Sequence, residues 1–161
     1  MLDLMMFNYS SHIWTDTWAE LINQDDLHPE EGIESDPHTT ILYGVHEEVH
    51  GDDVLRVMPD TVKGMEIIVS TLSYFDNPNF DVLKFEIDDD KLKELHELVK
   101  SSFPHTLSFP DYKPHITVAY LKKGRAQKYI DMWADGYPPL TFYPTGLTYS
   151  NSDKSKTTTT W

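Results

Sequence analysis

The chain has 161 residues, 39% of them hydrophobic, no cysteine, and a formal net charge of −14 at pH 7. This length and composition suit one domain, or two small lobes sharing a core, and the missing cysteines exclude disulfides, thiol nucleophiles and cysteine-type zinc sites. The acidity argues against long nucleic acid, which is gripped by many Lys and Arg with counterion release; it leaves room for a small phosphorylated ligand, because screening limits surface carboxylates to about 8 Å at physiological salt.

Residues 2–9 read as a first strand, apolar on both faces and hence central. This start lacks a basic leader and is too short and acidic for a signal peptide or a membrane span, which predicts a cytoplasmic protein without a membrane partner. Ser10 and Ser11 can cap a short helix in which Trp14, Trp18, Leu21 and Ile22 recur at helical spacing. Residues 23–36 are acidic and turn-rich, with Asp25-Asp26 and Glu30-Glu31-Gly32, and read as a surface loop of the kind that acts as a lid.

A strand over residues 38–45 follows. His46-Glu47-Glu48-Val49-His50 then matches His-Glu-x-x-His, which in zinc peptidases needs both histidines on one face of a helix. Here Gly44 and Gly51 flank it and Asp52-Asp53 opens a new helix, so the pentapeptide falls in a strand-to-helix connection. Residues 65–75 and 81–87 form an antiparallel pair around a turn at 76–79, with Leu83, Phe85 and Ile87 inward and Lys84 and Glu86 outward. Asp88-Asp89-Asp90 caps a helix that buries Leu92, Leu95, Val99 and Phe103 and carries His96 as a surface or boundary residue. Residues 124–133 form a short helix with Tyr129, Ile130 and Trp133 buried, and residues 140–149 and 154–161 a closing hairpin whose threonine run suits an edge strand.

One figure organises the chain. Pro114-His115-Ile116-Thr117-Val118-Ala119-Tyr120 repeats Pro37-His38-Thr39-Thr40-Ile41-Leu42-Tyr43 at Pro, His, Thr and Tyr. A lone His-x-Thr means little, but two matched copies entering apolar strands are an internal repeat. Alternation puts His115, Thr117 and Ala119 on one face of the second strand and Ile116, Val118 and Tyr120 on the other. By the same rule Tyr43 and Tyr120 point away from their histidines and pack against helices.

The doublet resembles the signature of the 2H phosphoesterases, the superfamily that includes bacterial 2'-5' RNA ligase-like proteins and 2',3'-cyclic phosphodiesterases. The approach Phe109-Pro110-Asp111-Tyr112-Lys113-Pro114 resembles still more closely phage members that degrade the cyclic oligonucleotide messengers of bacterial anti-phage signalling. The resemblance implies an α+β fold of two pseudo-symmetric lobes, each an antiparallel sheet with flanking helices, forming a single two-lobed domain over 1–161 with a shared central cleft. It also implies a host-cell cytoplasmic location if the chain is phage-encoded. Relatives often carry an arginine soon after a motif; here Leu42-Tyr43-Gly44 and Ala119-Tyr120-Leu121 follow, which puts a charged phosphate clamp and ligase activity in doubt.

The residues themselves suit phosphodiester chemistry. Two imidazoles near an ordinary pKa of about 6.5 can supply one base and one acid near neutrality, and two threonine hydroxyls can hold the non-bridging oxygens in line. His38, Thr40, His115 and Thr117 are therefore the candidate catalytic residues, needing no metal or other cofactor, with acid and base unassigned. Tyr9, Tyr74, Phe109 and Tyr112, near strand ends or beside the motifs, are the candidate base contacts. The expectation is a metal-independent phosphodiesterase whose partner is a small nucleotide or cyclic oligonucleotide, with oligomeric state open. The alternatives are a zinc hydrolase using His46, Glu47 and His50, and a protein that sequesters a nucleotide without turnover.

Overall fold

The computed structural model describes residues 3–9, 20–46, 49, 51–69, 71–106, 111–136, 139–150 and 155–160. Its strands are β1 (Asp3–Asn8), β2 (His38–Val45), β3 (Ile67–Val69), β4 (Thr71–Asp76), β5 (Phe80–Glu86), β6 (His115–Lys122), β7 (Leu140–Phe142), β8 (Gly146–Ser150) and β9 (Lys156–Thr160). The helices are α1 (Gly51–Val57), α2 (Asp90–Ser102) and α3 (Gln127–Ala134). Sheets of order β2-β1-β8-β9 and β4-β5-β6 are joined by the short pair β3-β7, and every pairing is antiparallel. The fold is mixed α+β, as the sequence leads one to expect.

Two boundaries differ from the sequence reading. The stretch 65–75 supplies two strands: β3 pairs with β7, and β4 with β5. The stretch 140–149 is likewise divided between β7 and β8. In each case one apolar run serves two neighbours, which periodicity alone does not distinguish. The hairpin β8-β9 closes the sheet as expected, its threonines exposed on the outer strand. Of the expected helix after Ser10, Leu21 and Ile22 pack on the core, while Trp14 and Trp18 lie outside the described residues.

Helix α2 begins where Asp89 accepts a hydrogen bond from the amide of Lys91 at 2.7 Å, relieving one unsatisfied amide of the first turn. It stops at Phe103, since the residue before Pro104 is disfavoured in helical geometry. The sequence reading needs correcting at two side chains. His96, expected at the surface or boundary, is 6% exposed, and Lys84, expected outward, is also 6% exposed. Helix α2 lies on β2, so the face carrying His96 meets the first sheet; Lys84, on the central strand β5, has its ammonium against Ser73 Oγ and the Phe75 ring of β4.

Each motif strand is the edge of its sheet, β2 of one and β6 of the other, and an open edge offers unpaired amides and carbonyls to any passing strand. Here the halves cover each other's edges. The loop before β2 runs along β6: His28 N donates to Tyr120 O at 2.9 Å, Tyr120 N to Gly32 O at 2.8 Å, and Glu34 N to Val118 O at 2.8 Å. The segment before β6 runs along β2, with His46 N donating to Pro104 O at 3.1 Å and Thr106 N to Gly44 O at 2.8 Å. One buried cluster accordingly draws on both halves, including Ile41 and Leu42 of β2, Phe85 of β5 and Ile116 and Val118 of β6.

Candidate active site

The two copies of the repeat are alike in backbone as well as in sequence. Along β1, Met6 pairs with Thr40 and Met5 with Leu42, leaving Ile41 without an opposite residue. Along β5, Lys84 pairs with Thr117 and Leu83 with Ala119, leaving Val118 without one. Each motif strand thus has a β-bulge directly after its threonine, and an extra residue resets the alternation of side chains. His38, Thr40 and Tyr43 are the polar side chains of β2 on the cleft, with Ile41 and Leu42 also on its lining. On β6 they are His115, Thr117 and Tyr120.

Those six side chains line one cleft of about 590 Å³, together with Phe75, His96, Tyr112 and others. Tyr43 and Tyr120 therefore do not turn away from their histidines. Ala119, expected beside Thr117 on the histidine face, is fully buried and bridges to Ile33. Strict alternation fails at the bulge.

The carbonyls near the bulges are satisfied differently in the two copies. Ile41 O accepts from His96 Nδ1 at 2.7 Å, and Val118 O accepts from the amide of Glu34. Gly44, two residues beyond Leu42, has φ +74°, in the left-handed region that favours glycine, at a second register shift.

Both histidines are oriented by one local device. His38 Nδ1 lies 2.7 Å from Asp36 O and His115 Nδ1 lies 2.8 Å from Lys113 O, each carbonyl two residues upstream across a proline. A carbonyl only accepts, so Nδ1 carries the proton and Nε2 is left as the working nitrogen. Phe103-Pro104-His105 makes the same bond, His105 Nδ1 to Phe103 O at 2.8 Å. The device belongs to X-Pro-His; its position at the start of a motif strand gives it a cleft to serve.

Around His115 the surroundings favour the neutral ring. Phe75 stands edge-on to it, centroids 5.0 Å apart at 85°. Burial pushes the imidazole below the ordinary histidine range; the Lys113 carbonyl opposes this, and the charges of Lys84 and His38 add to it. The influence of His38 is that of a neighbour in the same cleft. Thr40 and Thr117 are 9% and 8% exposed, nearly buried beside the rings they accompany.

The proposed base contacts divide. Tyr112 lines the cleft, stacks on His96 with centroids 4.0 Å apart and planes 2° from parallel, and donates its hydroxyl to Thr40 O at 2.9 Å. It ties the approach to β6 to the strand of the other motif. Tyr9 needs correcting: it is buried, its ring against Phe142 and its hydroxyl 2.7 Å from Thr39 Oγ1, and it does not line the cleft. Tyr74 is also absent from the lining, where its neighbour Phe75 appears instead, because adjacent strand residues face opposite ways. Phe109 lies outside the described residues.

Sequence reasoning missed that Tyr43, Tyr120, Phe75 and His96 line the cleft. A signal for the tyrosines was present, since the repeat matches at Tyr as it does at His and Thr, but a bulge leaves no composition of its own. The His-Glu-x-x-His stretch sits between the end of β2 at Val45 and the start of α1 at Gly51. His46 Nε2 is 3.0 Å from Thr106 Oγ1, while Glu47 and His50 lie outside the described residues.

A family model described as the 2'-5' RNA ligase superfamily matches residues 36–156, a span holding both motifs. The chain belongs to the 2'-5' RNA ligase superfamily. The superfamily's 2H phosphoesterase fold also appears in a solved structure, Usb1 of Kluyveromyces marxianus, with TM-score 0.61 over 99% of this chain and 97% of that one. At 10% identity that likeness speaks for the fold alone. No curated protein matches the chain by sequence. Membership of the 2'-5' RNA ligase superfamily accords with phosphoesterase chemistry. Among the described residues no helix is long and apolar enough to cross a membrane.

Proposed function

We propose that this chain is a phosphodiesterase of the two-histidine type, acting on small or cyclic oligonucleotides without a metal. The observation that carries this reading is the matched pair of Nδ1 bonds, which leaves two Nε2 atoms for one cleft alongside two threonines. His115, held below the ordinary range by burial, is the base. Its Nε2 takes the proton of the attacking oxygen, from water or a neighbouring ribose 2'-hydroxyl, as the new P–O bond forms. His38 Nε2–H protonates the departing oxygen as the old P–O bond breaks. Thr40 and Thr117 donate to the non-bridging oxygens, where charge gathers.

Tyr43 and Tyr120 favour a phosphate with a base on each side. They sit at equivalent positions of the repeat, both lining the cleft, and each nucleobase stacked on an aromatic ring contributes roughly 1–3 kcal/mol. Such a substrate is an internucleotide linkage rather than a mononucleotide. Cyclic oligonucleotide messengers of bacterial anti-phage defence fit this description, and the approach to β6 resembles the phage enzymes that degrade them; the chain would then work in the host-cell cytoplasm.

Incubation with cyclic di- and trinucleotides, 2'-5' oligonucleotides and 2',3'-cyclic mononucleotides, with excess chelator and read by chromatography, tests the reading. Cleavage of an internucleotide linkage in chelator is expected. Bound ligand without product would leave a sequestering protein, and activity lost to chelator and restored by zinc would leave a metal hydrolase.

A further inference from the structure

Lys84 is a buried cation beside the proposed catalytic residues that the mechanism above does not use. It stands opposite Thr117, and Glu86 opposite His115, so β5 and β6 share a face here. Its ammonium is 2.6 Å from Ser73 Oγ and 4.4 Å from the centroid of Phe75, the ring that stands against His115. Among the described residues the carboxylate paired with it is Glu86, at 3.6 Å and 54% exposed. A half-solvated carboxylate compensates a buried charge weakly, and taking a charge out of water is costly unless it is well paired.

We propose that Lys84 is a phosphate-attracting cation of this cleft, acting from beneath its lining through its place opposite Thr117. This deepens the phosphodiesterase reading and rests on it. The ammonium acts as a positioning group, through its field, and supplies the charge that neither motif provides with an arginine. Burial holds it below the ordinary lysine range, Glu86 opposes that and Lys113 adds to it. His38 from β2 and Lys113 before β6 face the same space, as do Asp76 and Asp111 on the cleft wall. An arriving phosphate would complete the neutralisation that Glu86 begins, and by reciprocity would strengthen the lysine's hold on its proton.

A merely structural lysine makes the opposite prediction. An apolar side chain of similar length in place of a weakly compensated buried charge is often neutral or stabilising. NMR of the lysine side chains and histidine rings, with inorganic phosphate as the probe, separates the two. In the wild-type chain, phosphate should move the Lys84 and His115 resonances and shift the Lys84 titration upward. Lys84→Met should weaken phosphate binding about tenfold, the loss of a charge-assisted contact. It should also raise the His115 titration, because a neighbouring positive charge that disfavours the imidazolium is removed, and Lys84→Arg should restore most of both.

Resonances of Lys84 unmoved by saturating phosphate, or Lys84→Met binding phosphate as tightly as wild type, would overturn the proposal. The wild-type measurement decides it if the methionine variant does not fold. None of these readouts needs turnover. A chain that cleaves no phosphodiester yet couples Lys84 to phosphate refutes the enzyme alone, and one that cleaves with Lys84 indifferent refutes this inference alone.

Discussion

Strands β2 and β6 share Pro, His, Thr and Tyr, a bulge after the threonine and the same Nδ1 bond across the proline, but they are propped differently. The carbonyl at the bulge of β2 is held by a side chain, His96; that of β6 is held by a main-chain amide, Glu34 N. His115 has Phe75 against its ring and Lys84 nearby. A repeat can therefore conserve the working geometry while the supports diverge. A support built from backbone leaves no residue type to find in the sequence, whereas one built from a side chain does.

The largest effect should come from the two imidazoles. His38→Ala and His115→Ala should each lower kcat by about 10² to 10⁴ with the fold intact by circular dichroism, since each loses one proton transfer. The double variant should be scarcely worse than either single. Near-normal turnover in one single variant would remove that residue from the pair. Next come the hydroxyls: Thr40→Ala and Thr117→Ala should each cost about 10² in kcat, the worth of one oxyanion contact. A large difference between them would show that the halves grip the phosphate unequally.

The supports give the sharpest contrast. His96→Leu strands Ile41 O in the core and should destabilise the chain by about 1 to 3 kcal/mol in urea unfolding. Glu34→Ala keeps its amide and loses only the carboxylate that accepts from the amide of Asp36 at 3.2 Å, so it should cost less. Glu34→Pro, lacking the amide, should resemble His96→Leu. If Glu34→Ala and Glu34→Pro behave alike, the main-chain support of β6 is unimportant.

The smallest expected effect concerns pH. Because the folded pKa of His115 lies below its ordinary value, the folded chain binds fewer protons than the unfolded one. Its contribution to stability is present above about pH 6.5 and is lost as pH falls through the lower folded value. Urea midpoints should decline over that interval in the wild type and less so in His115→Gln. The acid limb of kcat/KM should likewise fall below the ordinary histidine range; a limb above it would reverse the assignment of the base.

Much of this was legible beforehand. The His-x-Thr doublet, the mixed fold, the N-cap of α2 and the outer threonine strand all follow from local chemistry and periodicity. Tyr43, Tyr120 and Ala119 were misplaced because one uncounted residue inverts everything after it. Lys84 and His96 were misplaced because polarity suggests exposure, whereas here each side chain has a partner within the fold, Ser73 Oγ for one and Ile41 O for the other. Tyr9 was misassigned because an aromatic at a strand end looks the same in sequence whether it meets a ligand or Thr39.

The exchange of edge covers bears on how the molecule assembles in time. The amide of His28 finds its partner at Tyr120, and that of Thr106 finds its partner at Gly44. Such distant closures carry their entropic cost before any contact rewards it, and chains dominated by them fold slowly. Neither motif strand has its outer rim covered until the opposite half has been synthesised and docked. A nascent or truncated chain that stops before Pro104 leaves the outer rim of β2 bare, with the other histidine still to come. The cleft is in this sense a product of completed folding, and chemistry at it would begin only once the whole described fold has closed.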